Sequence, residues 1–158
     1  MNRAEWSFHA RNESETASLG SAIATALQPG AVLSLLGELG AGKTCLVRSI
    51  AGGLGVDPLS VVSPTFVLIR EYVGRLPVFH FDVYRLTDTD EFLELGADEL
   101  LYGQGVCLIE WADRVASVLP ADVLEVRIAA TGQHARMIEL RADGAGSQQL
   151  LDATRRAI

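Results

Sequence analysis

Residues Ala31 to Thr44 read AVLSLLGELGAGKT. The first six form a short apolar run without polar alternation, the pattern of a strand buried on both faces. Glycines at 37, 40 and 42 then bend the chain. Beyond Thr44, residues Leu46, Val47, Ile50 and Leu54 recur at helical spacing. The stretch is therefore a strand, a glycine-rich turn and a helix, the unit from which α/β layers are built.

The turn itself carries chemistry. Gly37, four residues, Gly42, Lys43 and Thr44 match G-x-x-x-x-G-K-T, and the flanking strand and helix are the context that pattern needs. Such a turn directs successive backbone N–H groups at one anion, and the helix N-terminus adds its partial positive charge. Gly40 and Gly42 let the backbone approach phosphate oxygens closely. The nucleotide-binding set expected here is Gly37, Glu38, Leu39, Gly40, Ala41, Gly42, Lys43 and Thr44. Lys43 is the one lysine among 13 basic residues. A compact ammonium fits between β- and γ-phosphates where a planar guanidinium is too wide. Thr44 offers a hydroxyl to Mg²⁺.

Working outward, residues 4–9 suggest an edge strand. Asn12 with Glu15 reads as a capping box opening a helix that buries Leu19, Ile23, Ala26 and Leu27 and stops at Gln28-Pro29-Gly30. Ser63-Pro64-Thr65 starts an extended stretch, FVLIREYV, which a turn at 74–77 joins to VFHFDVYRL as a hairpin. Thr87 or Thr89 is expected to cap a short acidic helix ending at Gly96. Residues 105–111, GVCLIEW, read as a buried strand, and DRVASVL as a short helix. VLEVRIAA and ARMIELRA form a second hairpin, and a helix from about Ser147 follows. The fold expected is a P-loop NTPase-like three-layer α/β/α arrangement with a mixed, partly antiparallel sheet, in one domain spanning residues 1–158.

Composition narrows the function classes. A chain of 158 residues with 49% hydrophobic content can bury a substantial core. The net charge of −7 and scattered arginines make it a poor solo binder of nucleic acid. Cys45 and Cys107 lie in apolar segments and read as small buried hydrophobes. The N-terminus lacks the apolar region of a signal peptide, and no run is long enough to span a membrane, so a cytoplasmic location is expected.

A P-loop site needs an acid at the end of a neighbouring strand. Glu110 follows four apolar residues in VCLIE, and Asp82 ends VFHFD. Thr44 and Glu110 are the expected metal ligands, with Asp82 polarising the attacking water. Lys43, Asp82 and Glu110 form the candidate catalytic set. The bland alternatives are a solvated strand-end acid for Glu110 and an ion pair with Arg85 for Asp82. Thr65, between the P-loop helix and the Asp82 strand, stands where switch loops sense a γ-phosphate. His80 shares a face with Asp82 and is either a site residue or a satisfied core histidine. Trp111 and Tyr84 read as packing residues, since no second aromatic supports Trp111 as a base-stacking platform. A guanine-binding Asn-Lys-x-Asp loop is absent, so adenine or weak base selectivity is expected, with ATP as the nucleotide and Asn12 as a candidate base contact.

Taken together, GELGAGKT, SPTFVLIREY, HFDVYRL, the ELG ending at Gly96, and LIEWADR resemble the bacterial TsaE family, formerly called YjeE, from about Leu19 to Pro120. The resemblance implies a small ATPase for the threonylcarbamoyl modification of the adenosine beside the tRNA anticodon. It implies work with TsaB- and TsaD-like partners, TsaD carrying the transfer chemistry, with tRNA met only through the complex. It further implies Thr44 and Glu110 at Mg²⁺, and Asp82 and Glu110 in hydrolysis that is weak in the isolated chain. No arginine stands at an obvious finger position in these motifs, which fits completion of the site by a partner. Two other readings compete. One is a small kinase using arginines of the 70–85 hairpin as a lid. The other is a nucleotide-gated adaptor without catalysis.

Overall fold

The computed structural model describes residues 4–62 and 69–158. Seven strands form one sheet: β1 (Ala4–Ala10), β2 (Val32–Leu36), β3 (Ile69–Val73), β4 (Pro77–Asp82), β5 (Val106–Glu110), β6 (Leu124–Ala130) and β7 (Arg136–Ala142). Their spatial order is β1-β7-β6-β2-β5-β4-β3. The central strands β6, β2, β5 and β4 run parallel, while β1, β7 and β3 are antiparallel to their neighbours. The expected mixed sheet is therefore present, with both expected hairpins at its flanks.

Helices cover both faces. On one side lie α1 (Glu13–Ala26), α2 (Lys43–Gly53) and α5 (Ala145–Ala157), which bury Leu19, Ile23, Leu46, Ile50 and Leu151 against Leu33, Leu35, Leu108 and Val126. On the other lie α3 (Thr89–Glu94), α4 (Ala97–Leu101) and a 3₁₀ segment at Ala112–Val118, over Val32, Phe81, Cys107 and Ile109. Every side chain of β5 is buried, as its unbroken apolar run requires. Strand β6 instead alternates between buried and more accessible positions. Gly20 allows α1 and α2 to approach closely: a Cβ there would stand 2.4 Å from Ser49 Cβ.

Local chemistry departs from expectation in several places. Asn12 caps α1, its Oδ1 accepting from Glu15 N at 2.9 Å, but Glu15 returns to Arg11 N rather than to Asn12. Asp88 caps α3, accepting from Glu91 N at 3.0 Å, in place of Thr87 or Thr89. A carboxylate is the stronger acceptor at the positive end of a helix. Gly96 ends one helix and opens α4, which periodicity over so few residues did not reveal. The short helix expected at DRVASVL is present as the 3₁₀ segment Ala112–Val118, kinked at Val115. The last helix starts at Ala145, and its Gly146 and Ser147 N–H groups donate to Asp122 at 2.8 and 2.9 Å. Cys45 is exposed on α2, contrary to its expected burial, because its helical position faces away from the sheet; Cys107 is buried. Among the described residues no helix is long and apolar enough to cross a membrane.

Candidate functional site

The site lies at the C-terminal ends of β2, β5 and β4, where the parallel strands hand over to loops. Gly37 leaves β2 with its α-carbon so near β6 that a Cβ would stand 2.5 Å from the Ile128 carbonyl. Gly40 and Gly42 hold positive φ, 81° and 106°, and Gly42 is the N-cap of α2. Gly42 gives the first N–H groups of α2 no side-chain cap, so the turn offers backbone donors at a helix N-terminus.

Lys43 begins α2 and folds back into its own loop. Its ammonium donates to the Gly37 carbonyl and, at 3.0 Å, to the Glu38 carbonyl. The residue is 5% exposed. Burial pulls the ammonium below its ordinary value, while Glu110, then Asp82, Glu38 and Asp113, pull the other way. The ring of Trp111 lies over the same nitrogen, 3.9 Å away, a cation–π contact.

Thr44 and Glu110, 66 residues apart, meet directly: the hydroxyl lies 3.0 and 3.1 Å from the two carboxylate oxygens. Both supply hard oxygen donors. Among the described residues, no three His, Cys, Asp or Glu side chains gather as a free-standing metal centre. A Thr–Glu pair instead suits a Mg²⁺ that keeps waters and shares the oxygens of a phosphate chain. Asp82 is the register neighbour of Glu110 across β4 and β5 and is also buried. Its Oδ1 accepts from Tyr84 N at 3.0 Å. The structure thus brings together Lys43, Thr44, Asp82 and Glu110. Thr65, with Ser63 and Pro64, lies outside the described residues.

Four further residues, His80, Trp111, Tyr84 and Arg136, surround these side chains. His80 Nε2 is 2.5 Å from Glu110 Oε2, which decides between its two readings in favour of a site contact. Trp111 packs as expected and also meets the Lys43 ammonium. It follows Glu110 in a left-handed conformation, φ 62° and ψ 34°, the one non-glycine with positive φ among the described residues. That reversal turns its ring from β5 onto Lys43. Tyr84 packs on Trp111 with ring centroids 4.8 Å apart, in line with the packing expected of both. Arg136, from the start of β7, donates to the Ala41 carbonyl at 2.8 Å and to the Gly132 and Ala135 carbonyls, tying the β6–β7 turn to the glycine loop. No local pattern marks Arg136, since 95 residues separate it from Ala41. Asn12 spends its side chain on the helix cap. Beside the loop opens a cleft of about 790 Å³, bounded by Gly37–Ala41, Leu36, Trp111, Asp113, Ala129 and Met137.

Comparison with known proteins follows this geometry. The family model for threonylcarbamoyl adenosine biosynthesis protein TsaE matches residues 10–138. The chain belongs to the TsaE family. It is similar to the tRNA threonylcarbamoyladenosine biosynthesis protein TsaE of Treponema pallidum, 45% identical over 124 residues, covering 77% of this chain and 91% of that one. The Bacillus subtilis protein of the same name is 45% identical over 134 residues, 84% of this chain and 83% of that one. The crystal structure of Bacillus subtilis YdiB superposes with a TM-score of 0.83 at 36% identity, covering 99% and 97% of the two chains. This TsaE-family chain therefore has the fold that its strand–glycine loop–helix unit foretold.

Proposed function

We propose that this chain is the Mg²⁺-dependent ATP-hydrolysing component of the tRNA threonylcarbamoyladenosine modification system, acting with TsaB- and TsaD-like proteins. The observation that carries the reading is the Thr44–Glu110 contact, which joins the P-loop hydroxyl to the acid ending the adjacent strand. The names of the relatives support the pathway.

In this reading the backbone N–H groups at the N-terminus of α2 and the Lys43 ammonium bind the β- and γ-phosphates. Lys43 gives up a carbonyl partner to do so, and the anion restores the charged form that burial disfavours. Thr44 and Glu110 would hold the Mg²⁺, which when bound would supply charge neutralisation at the phosphates. Asp82, at the end of the neighbouring strand, orients the attacking water. The nucleoside takes the adjoining cleft, whose size suits it. Arg75 donates to the Ala24 and Leu27 carbonyls at the C-terminal end of α1. That use withdraws it from the lid a kinase reading requires. Partners complete the site for full turnover, and tRNA is met through them.

The test is phosphate release from Mg·ATP by the chain with and without a TsaB- and TsaD-like pair. Release that rises on adding the pair, and is lost in Glu110→Gln, supports the proposal. Transfer of phosphate to a small acceptor favours a kinase. Undiminished tRNA modification by the Glu110→Gln complex favours a non-catalytic adaptor.

A further inference from the structure

We infer that His80 is a positioning residue for Glu110: it holds Oε2 and leaves Oε1 as the oxygen that meets a divalent cation. The inference rests on the Mg²⁺–nucleotide reading of the site.

His80 is fully buried on β4. Its register partner on β5 is Leu108, two residues before Glu110, so the imidazole leans along the sheet toward the strand ends. The Glu110 carboxylate has two partners of different kinds. The Thr44 hydroxyl is shared between Oε1 and Oε2 at 3.0 and 3.1 Å, while His80 Nε2 engages Oε2 at 2.5 Å. When the Thr44 hydroxyl turns to a cation, Oε1 loses its partner and Oε2 keeps one. The carboxylate then has one anchored and one available oxygen.

The far side of the ring sets the tautomer. Among the described residues, His80 Nδ1 is buried with no hydrogen-bond partner. If Nε2 carries the hydrogen, it donates to an ionised carboxylate and Nδ1 is a bare lone pair. If Nδ1 carries it, an N–H is buried unpaired and the charge-assisted bond to Glu110 is lost. Orphaned N–H groups are the rarer defect, and charge-assisted bonds are about twice as strong as neutral ones. The Nε2–H tautomer is the one that fits. A histidine held this way orients a ligand one bond removed from the metal, as outer-shell partners of metal ligands do.

Two measurements test it. In ¹⁵N-histidine-labelled protein, long-range ¹H–¹⁵N spectra separate the tautomers, and the His80 signals are those missing from His80→Gln. The Nε2–H form is expected, and the Nδ1–H form overturns the inference. Mg²⁺ titrations of fluorescent ATP-analogue binding give the second readout. Gln can place an amide donor where Nε2 stood, whereas Leu fills the space without one. Removing an outer-shell partner is expected to raise the Mg²⁺ midpoint about 10- to 100-fold in His80→Leu, with His80→Gln within about threefold of wild type. Nucleotide affinity in EDTA should agree among all three. Wild-type Mg²⁺ dependence in His80→Leu, or equal losses in both variants tracking their melting temperatures, overturns the inference while the proposed function stands. A wild-type chain that binds no Mg·nucleotide overturns both. Should His80→Leu not fold, the wild-type tautomer decides.

Discussion

Trp111 offers a test in which backbone strain and side-chain contact come apart. Its φ of 62° places an L-residue in the left-handed region, at a cost of about 1–2 kcal/mol. The position is held from both sides: Trp111 N donates to the Leu35 carbonyl at 3.1 Å, and its own carbonyl accepts from Arg114 N at 3.1 Å. Substituting Ala or Gly removes the same ring, so both variants lose the contacts to Lys43 and Tyr84 equally. They differ in the main chain. Alanine keeps the strain, while glycine relieves it but gives back roughly 0.5–1 kcal/mol through its freer unfolded chain. Taking about 1.5 kcal/mol of strain leaves Trp111→Gly more stable than Trp111→Ala by about 0.5–1 kcal/mol. For a chain of this length that is about 1–4 °C in melting temperature. Both should fall below wild type, since a half-buried indole is lost. Urea unfolding of the nucleotide-free variants, with calorimetry alongside, measures the difference. Ala equal to or more stable than Gly would refute the claim that the turn after Glu110 is strained.

Gly20→Ala gains about 1 kcal/mol of helix propensity but drives a methyl to 2.4 Å from Ser49 Cβ. Overpacking costs about 1–3 kcal/mol, so a net loss of stability is expected in urea unfolding. Lys43 should give the nucleotide-free protein a stability that rises on approaching pH 10.5. Its folded value is lowered, chiefly by burial, so between that value and 10.5 the unfolded chain binds more protons, and stability climbs with pH. Lys43→Met should flatten that segment of the profile, and an unchanged slope would argue against a buried ammonium. Finally, a thiol reagent should titrate Cys45 in the native protein and reach Cys107 only in denaturant. Burial raises the Cys107 thiol to about 12, so little thiolate exists to react.

Much of the site was legible because its parts are local. Gly37 to Thr44 lie in one turn whose donors come from the backbone, so spacing predicts their convergence. Glu110 and Asp82 were legible as acids ending apolar strands, since parallel neighbours place such ends side by side. The capping of α3 by Asp88 was misread because three adjacent polar residues offer competing acceptors. The short helix expected at DRVASVL is present, but its 3₁₀ form was not legible, because seven residues carry too little periodicity to distinguish the helix types.

By itself, the order of residues determined the α/β class, the glycine loop and the acids that face it, because each depends on contacts along one strand or one turn. Tertiary structure decided the rest. Sheet order set His80 against Glu110, a left-handed residue swung Trp111 onto Lys43, and a β-hairpin carried Arg136 to Ala41 across 95 positions. Those contacts join segments remote in the chain, and their existence depends on strand register and on which face each side chain takes, which only the folded sheet specifies.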